Sequence, residues 1–350
     1  MRRFKLGKRW VGPSEPPFVI AEMSGNHNGS LRRAMEIVDA AAAAGADAVK
    51  FQTYTADTMT VNFRKKEFKV RDPKSPWADR YLHDLYREAA TPWKWHAPLF
   101  ERCRRCGVVP FSTPFDATAV RFLSSLRVSA FKIASFENVD LPLIRAVART
   151  GKPLFLSTGM ATLVEVGEAV EAARGAGARD IVLLKCTSAY PAPAGEAHLR
   201  TLPNLRDSFD CPVGVSDHTV GNAVSVVAVG LGACVVERHL TLARAEGGVD
   251  ASFSLEPQEL KSLVRDVRTG WESLGRVHYG PTEREKSSLA FRRSLYVVGD
   301  LKKGDRLTLK NLRGLRPNRG LAPRFLDVVL GRPVNRDVAK GTPLSWNLLK

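Results

Sequence analysis

CPVGVSDHTVGNAVSVVAVGLGACVVERHL, residues 211–240, carries the pattern that decides the fold. Two short valine-rich runs, CPVGV (211–215) and ACVVE (233–237), are bounded by turn residues, as strands buried on both faces are. The stretch between them has helical length and composition, so the segment reads as one β-α-β unit. A histidine lies just past each run, His218 and His239, each preceded by an acidic residue. In a closed parallel barrel the carboxyl ends of neighbouring strands meet at one mouth. Two such histidines can therefore share a divalent ion although 21 positions separate them. Taken singly, each reads equally well as a hydrogen-bonded histidine at a strand end.

The same alternation runs backward to residue 18. FVIAEM, DAVKFQTY, VVPFSTPF, AFKIASF, PLFLSTG and DIVLLKCTSAY are each followed by a helical stretch, which with the two histidine runs makes eight strands. Eight β-α repeats over roughly 250 residues predict an α/β protein with a (β/α)8 TIM barrel. An open doubly wound sheet is the alternative, but no GxGxxG follows the first strand. PQELKSLVRDVRTGWESLG reads as the last barrel helix and RVHYGPTEREKSS as a linker. From about residue 290 the chain turns to short strand-like runs punctuated by DLKKGD and VAKGTPL. The expected division is a barrel over 1–282 and a linker with a small domain over 283–350. That small domain is short for a free-standing core, so it is expected to pack on the barrel or on another subunit.

The 350 residues, 44% of them hydrophobic, suffice for a large core. No apolar stretch reaches the ~18 residues of a membrane span, and MRRFKLGKRW leads into VGPSEPPF, not an apolar signal core, so a cytoplasmic protein is expected. The five cysteines sit in apolar or helical runs, which fits reduced thiols. Cys103 and Cys106 make a CxxC with no second pair, so two small residues one helical turn apart is the simpler reading. The net charge is +17, and residues 284–350 contribute +11 of it, from 16 Lys or Arg against 5 Asp or Glu. No zinc-finger spacing, aromatic RNP motif or basic heptad accompanies that charge. Attraction of anionic substrates, or a compositional bias, accounts for it better than nucleic acid does.

Barrel enzymes place their chemistry at the strand carboxyl ends. In order, these ends offer Glu22; Lys50 and Gln52; Ser112 and Thr113; Lys132, Ser135 and Glu137; Ser157 and Thr158; Lys185, Thr187, Ser188 and Tyr190; Ser216, Asp217 and His218; and Glu237, Arg238 and His239. Charges in buried strands are costly unless paired, so Glu22, Lys50, Lys132 and Lys185 each require a partner or a ligand. Lysines among hydroxyls suit a phosphate or carboxylate, and a phosphorylated substrate beside a divalent ion follows. Internal pairing of a lysine with Glu22 or Glu137 is the bland alternative. A Schiff-base lysine, Lys132 or Lys185, is another chemistry, but it leaves both histidines idle.

AEMSGNHNGS, GADAVKFQTY, PFSTPFD, FKIASFE, STGM, CTSAYPAP, GVSDHTVG and ERHLTL, in this order, closely resemble the sialic acid synthase family. The basic C-terminal module resembles that family's antifreeze-like (SAF) domain. QTYTADTMT, LYREAATPWKWH and AEMSGNHN are more similar to the family's pseudaminate-forming branch than to its N-acetylneuraminate-forming branch. The resemblance implies condensation of phosphoenolpyruvate with an amino sugar and water, giving a nonulosonic acid and phosphate. For the pseudaminate branch the sugar is 2,4-diacetamido-2,4,6-trideoxy-L-altrose. Other branches make N-acetylneuraminate, legionaminate or a spore-coat sugar, and a non-catalytic carbohydrate- or nucleic-acid-binding scaffold is the alternative of a different class.

The resemblance also implies roles. His218 and His239 match metal ligands, for Mn2+ with Co2+ or Mg2+ as alternatives; for Glu22 the residue chemistry suggests, as a hypothesis, a base that deprotonates the attacking water. Lys50, Thr113, Lys132, Ser135, Ser157, Ser188 and Ser216 match positions that hold phosphoenolpyruvate, with Ser188 where relatives often carry asparagine. Gln52, Glu137, Tyr190 and Asp250 match positions facing the sugar, as Glu22 also does. Arg316 matches an arginine that enters the neighbouring subunit's active site, which implies a homodimer whose C-terminal domains cap each other's barrels. A 6-deoxy sugar presents a methyl, so Trp77, Trp93 and Trp95 are candidates for that end of the pocket, or for core positions.

Overall fold

The computed structural model describes residues 2–350. It divides into two compact units, the first ending at Gly275 and the second covering Arg276–Lys350. Residues 276–282, grouped above with the barrel, therefore go with the second unit.

The first unit begins with an antiparallel hairpin, β1 (Phe4–Leu6) and β2 (Arg9–Val11). Its turn holds Gly7 at φ +61, where any side chain would run into Val109. Phe4, Leu6 and Val11 point into the core, with Phe4 6.3 Å from Phe155 at the amino end of the barrel. The basic opening of the chain is thus the floor of the barrel, which its charge concealed.

Eight parallel strands follow and close on themselves: β3 (Phe18–Glu22), β4 (Ala48–Thr53), β5 (Val109–Pro114), β6 (Phe131–Ile133), β7 (Leu154–Ser157), β8 (Ile181–Cys186), β9 (Val213–Ser216) and β10 (Ala233–His239). Closure pairs β10 with β3, so His239 lies opposite Glu22. The strands are buried on both faces, because helices cover the outside and Phe18, Phe111, Phe131 and Phe155 fill the core.

The helices are α1 (Leu31–Ala43), α2 (Ala56–Met59), α3 (Leu82–Ala89), α4 (Trp93–Arg105), α5 (Ala117–Ser125), α6 (Leu141–Ala148), α7 (Leu163–Gly175), α8 (Thr201–Phe209), α9 (Ala223–Gly230) and α10 (Pro257–Leu274). Ser30, Asp116, Asp140 and Thr162 cap α1, α5, α6 and α7 by accepting backbone N–H bonds. α10 starts at Pro257, with Glu256 and Glu259 capping it reciprocally. Cys103 is buried in α4, while Cys106 ends that helix and donates to Asp39; all five cysteines are free.

The second unit pairs β11 (Ser294–Val297) with β12 (Leu312–Leu315) and adds the single turn α11 (Leu326–Val329). It has a core of its own, including Leu295, Val297, Leu312, Val329, Val334 and Leu344. No helix among the described residues is long and apolar enough to cross a membrane.

Candidate active site

Along β10 the side chains alternate between the barrel interior and the helix layer. Glu237 and His239 point inward. Arg238 points out, where it is nearly inaccessible and binds Asp217 at 2.9 Å, the Gly221 carbonyl at 2.8 Å and the Thr219 carbonyl at 2.6 Å. Asp217 also accepts from Ser225 at 2.5 Å and from the Thr219 backbone at 2.9 Å. The Asp217–Arg238 pair therefore fixes the turn after β9 and aims the next residue, His218, into the mouth.

Four buried ionisable groups form a grid inside that mouth. Lys50 Nζ lies 2.6 Å from Glu22 Oε2, 3.3 Å from the Thr113 hydroxyl and 3.7 Å from Glu237 Oε1. Lys132 donates to Glu237 Oε1 at 3.1 Å, and the Ser216 hydroxyl donates to the same oxygen at 3.0 Å. Two ammonium groups balance two carboxylates, so the desolvation penalty is met by mutual pairing. Burial alone would raise the Glu237 carboxyl, but Lys132, Lys50 and the Ser216 hydroxyl together bring it down to about 2. Glu22 moves the other way, because burial outweighs Lys50 and Glu237 adds repulsion. Burial also lowers Lys132.

Past the ends of β6, β7 and β8, serine hydroxyls gather around Gly159. The Gly159 amide donates to Ser135 Oγ at 3.2 Å. A Cβ at Gly159 would sit 2.4 Å from Ser188 Oγ and 2.6 Å from Ser135 Oγ. Only glycine fits between these two hydroxyls. Ser157, two residues earlier, buries a hydroxyl that has no hydrogen-bond partner. Serine hydroxyls gathered in this way suit an anion's oxygens.

The two imidazoles stand with ring centroids 5.3 Å apart. His218 Nδ1 lies 3.1 Å from the Thr187 carbonyl, which orients that nitrogen as donor and leaves Nε2 as a free lone pair. His239 is held neutral by burial, then by the positive groups His218, Lys50, Lys132 and Arg238. Its Nδ1 is buried without a hydrogen bond, 4.0 Å from Asp250 Oδ2. Two imidazoles, one with an orphaned nitrogen, fit a divalent ion, whose binding would require His218 in its neutral form. Among the described residues no three His, Cys, Asp or Glu are grouped to hold a metal by themselves, so other oxygens would have to complete the shell.

Asp250 accepts a short hydrogen bond from Ser24 Oγ, which in turn accepts from Gln52 Nε2 at 3.1 Å. Ser24 holds φ +47, a left-handed conformation unfavourable for a non-glycine residue, in the turn after β3. Glu137 follows β6; burial raises its carboxyl to about 7, and its Oε2 has no partner.

The NeuB family pattern matches residues 37–279 and the SAF domain pattern residues 292–350. The chain belongs to the NeuB family. It is 40% identical to the pseudaminic acid synthase of Helicobacter pylori over 333 residues, covering 95% of this chain and 97% of that protein. It is 37% identical to the N,N'-diacetyllegionaminic acid synthase of Legionella pneumophila over 340 residues, covering 96% and 95%. Among solved structures, an N-acetylneuraminic acid synthetase from Leptospira borgpetersenii superposes with a TM-score of 0.73 at 31% identity, covering 82% of this chain and 95% of that one. Relatives of this kind make the chain an enzyme of the nonulosonic acid synthase type.

Within this NeuB-family barrel the structure gathers Glu22, Lys50, Thr113, Lys132, Ser216, His218, His239 and Asp250 at one mouth, with Gln52 joined through Ser24 and Tyr190 4.6 Å from His218. Ser135 and Ser188 meet at Gly159. Arg316 lies on the second unit, exposed, just past β12. Lys185 does not join the grid: its Nζ donates to its own strand's Cys186 carbonyl at 3.1 Å and to Thr187 at 3.5 Å, the outward side of the alternation. Lys132 finds its carboxylate in Glu237, not in Glu22 or Glu137. Sequence reasoning placed Glu237 at a strand end but gave it no role, and it passed over Ser24 and Gly159. The i, i+2 alternation of Glu237 with His239 was the available signal for the first. Asn26 and His27 of SGNHNG are structural, with Asn26 binding the Leu240 carbonyl and Ser254 at 2.9 Å each and His27 packed edge-on against Trp95.

Proposed function

We propose that the chain is a pseudaminic acid synthase, condensing phosphoenolpyruvate with 2,4-diacetamido-2,4,6-trideoxy-L-altrose and water to give pseudaminic acid and phosphate. The observation that carries the reading is the buried Lys50–Glu22 and Lys132–Glu237 grid beside a histidine pair. A barrel with no anionic ligand would gain more from apolar residues at those positions.

In this reading the phosphate of phosphoenolpyruvate lies at the hydroxyls of Ser135, Ser157 and Ser188, while Lys50 and Lys132 balance the substrate's charge. The open-chain sugar lies toward Asp250, Gln52, Glu137 and Tyr190, its aldehyde at the histidines. His218 and His239 would hold a divalent ion, Mn2+, Co2+ or Mg2+, whose chemistry is to polarise that aldehyde. The methylene carbon of phosphoenolpyruvate forms the new C–C bond as the carbonyl π bond breaks, and the aldehyde oxygen becomes a hydroxyl with the proton that the attacking water releases. Water adds to the electron-poor carbon that bears the phosphate, giving up its proton to Glu22. The tetrahedral intermediate then breaks its C–O bond to phosphate and leaves a keto acid. Burial raises Glu22, so it can accept a proton, and Lys50, drawn toward the substrate phosphate, frees it to do so.

A homodimer in which Arg316 reaches the partner's sugar site belongs to the same reading. The likeness to the Legionella enzyme supports a second reading, a diacetyllegionaminic acid synthase. Phosphate release from phosphoenolpyruvate, measured with each candidate sugar in turn, separates them. The altro-configured sugar should be turned over with the highest kcat/KM, and a higher value for another acceptor overturns the assignment. Undiminished turnover by Glu22→Gln would remove Glu22 as the base.

A further inference from the structure

Three tryptophans near the mouth were equivalent in the sequence, and the structure separates them. Trp93 stacks on Phe122 at 4.6 Å and gives its indole N–H to the Tyr54 carbonyl. Trp95 packs edge-on against buried His27 at 5.5 Å. Both are packing residues. Trp77 instead lies on the long connection between β4 and α4, half-buried, with its ring 5.4 Å from Tyr190 and 6.2 Å from Phe253. Tyr190 is 4.6 Å from His218, and Phe253 is 5.1 Å from His239. The three rings therefore border the histidine pair, with Trp77 one ring further out.

We propose that Trp77, backed by Tyr190 and Phe253, is the wall that selects a sugar ending in a methyl over one ending in a hydroxymethyl. This rests on the synthase reading above. An acceptor whose aldehyde sits at the histidines extends along Tyr190 and Phe253 and brings its far end to Trp77. The indole N–H is already committed to the Val249 carbonyl at 2.7 Å, so Trp77 offers carbon and a π face. Phe253 offers no polar group at all. Tyr190 directs its hydroxyl to Ser188, so a terminal hydroxyl pressed on the Trp77 and Phe253 faces loses water hydrogen bonds without replacement, while a methyl loses none. Val249 immediately precedes Asp250, so the same hydrogen bond ties the wall to the loop carrying the acceptor's carboxylate partner. The sequence signal was too weak to choose Trp77, because its contacts come from positions 113 and more residues away in the chain.

The test compares kcat/KM for the 6-deoxy acceptor and its 6-hydroxy analogue at saturating phosphoenolpyruvate. Wild-type enzyme should favour the 6-deoxy sugar by on the order of 100-fold, the discrimination that an apolar pocket achieves against an added hydroxyl. Trp77→Ala should bring the ratio to within ~10-fold of unity by losing the 6-deoxy sugar, while KM for phosphoenolpyruvate stays put. Trp77→Phe keeps an apolar ring and should retain most of the ratio, which also guards against misfolding of the alanine variant. A ratio that stays the same in Trp77→Ala while both sugars slow together overturns the proposal. So does a wild-type enzyme that prefers the hydroxymethyl sugar. Turnover of a different diacetamido 6-deoxy epimer with the same 6-position ratio would overturn only the pseudaminate assignment and would sustain the wall.

Discussion

Replacing Glu237 by glutamine tests whether the grid is tuned to receive an anion. Its neighbours hold this carboxyl at about 2 in place of its ordinary 4.5, which corresponds to about 3 kcal/mol of favourable interaction with the charged form. Loss of one member of a buried ion pair costs ~3–5 kcal/mol by comparison with other proteins. Glutamine keeps the shape and an oxygen for Lys132 and Ser216, so the change is one of charge. Two buried ammonium groups would then face Glu22 alone. A loss of about 3 kcal/mol lowers Tm by roughly 6–12 °C in a domain of this size. Because the folded-state value is depressed, the contribution is complete above the unfolded value and disappears as pH falls through the folded one. The gap between wild type and variant should thus be full at neutral pH and narrow progressively below 4.5. Inorganic phosphate or phosphoenolpyruvate, supplying the missing negative charge, should restore more Tm to the variant than to wild type. Differential scanning calorimetry at matched ionic strength, with and without phosphate, reads both effects. Equal melting at neutral pH, or equal stabilisation of both proteins by phosphate, would refute the view that Glu237 holds the lysines ready for an anion.

Gly159→Ala should raise KM for phosphoenolpyruvate by ~10-fold or more, because the added carbon displaces the Ser188 and Ser135 hydroxyls and presses on Ser135 Cβ; steady-state kinetics beside a melting curve checks this. Glu137 titrates about 7 because burial penalises its charged form, so it should subtract stability progressively as pH rises from the ordinary 4.5 through 7. Glu137→Gln should remove that decline and stabilise the protein at pH ~8 by on the order of 1–3 kcal/mol, read by urea denaturation across pH. Chelation should abolish condensation and Mn2+, Co2+ or Mg2+ restore it, while His239→Gln should fail to recover; full activity after exhaustive chelation would disprove a metal at the histidine pair.

The barrel was legible because its cause is local. A strand buried on both faces must be apolar along its length, the helix after it must carry caps and an apolar stripe, and eight such repeats leave one closed arrangement. Residues at strand ends were legible for the same reason, since position along a strand decides which ones reach the mouth. The floor hairpin escaped notice because Phe4, Leu6 and Val11 are spaced among basic residues, of which Lys5 and Lys8 face solvent and Arg9 pairs with Asp47. Partner identity was not legible either. Lys132 and Glu237 are 105 residues apart, and only closure of the barrel brings β6 across from β10.

The sequence by itself determined the eight-fold repeat, the family, and a mouth furnished with lysines, hydroxyls, carboxylates and two histidines. Tertiary structure alone decided which of these face one another. It sent Lys185 and Arg238 outward by the two-residue alternation of a strand, and made Glu237 the shared partner of two lysines. It brought Ser135 and Ser188 to either side of Gly159, and set Trp77 beside Tyr190 and Phe253 while Trp93 and Trp95 pack elsewhere. Periodicity is a property of neighbours along the chain, whereas charge pairing and cavity shape depend on atoms that only a closed barrel brings within a few ångströms.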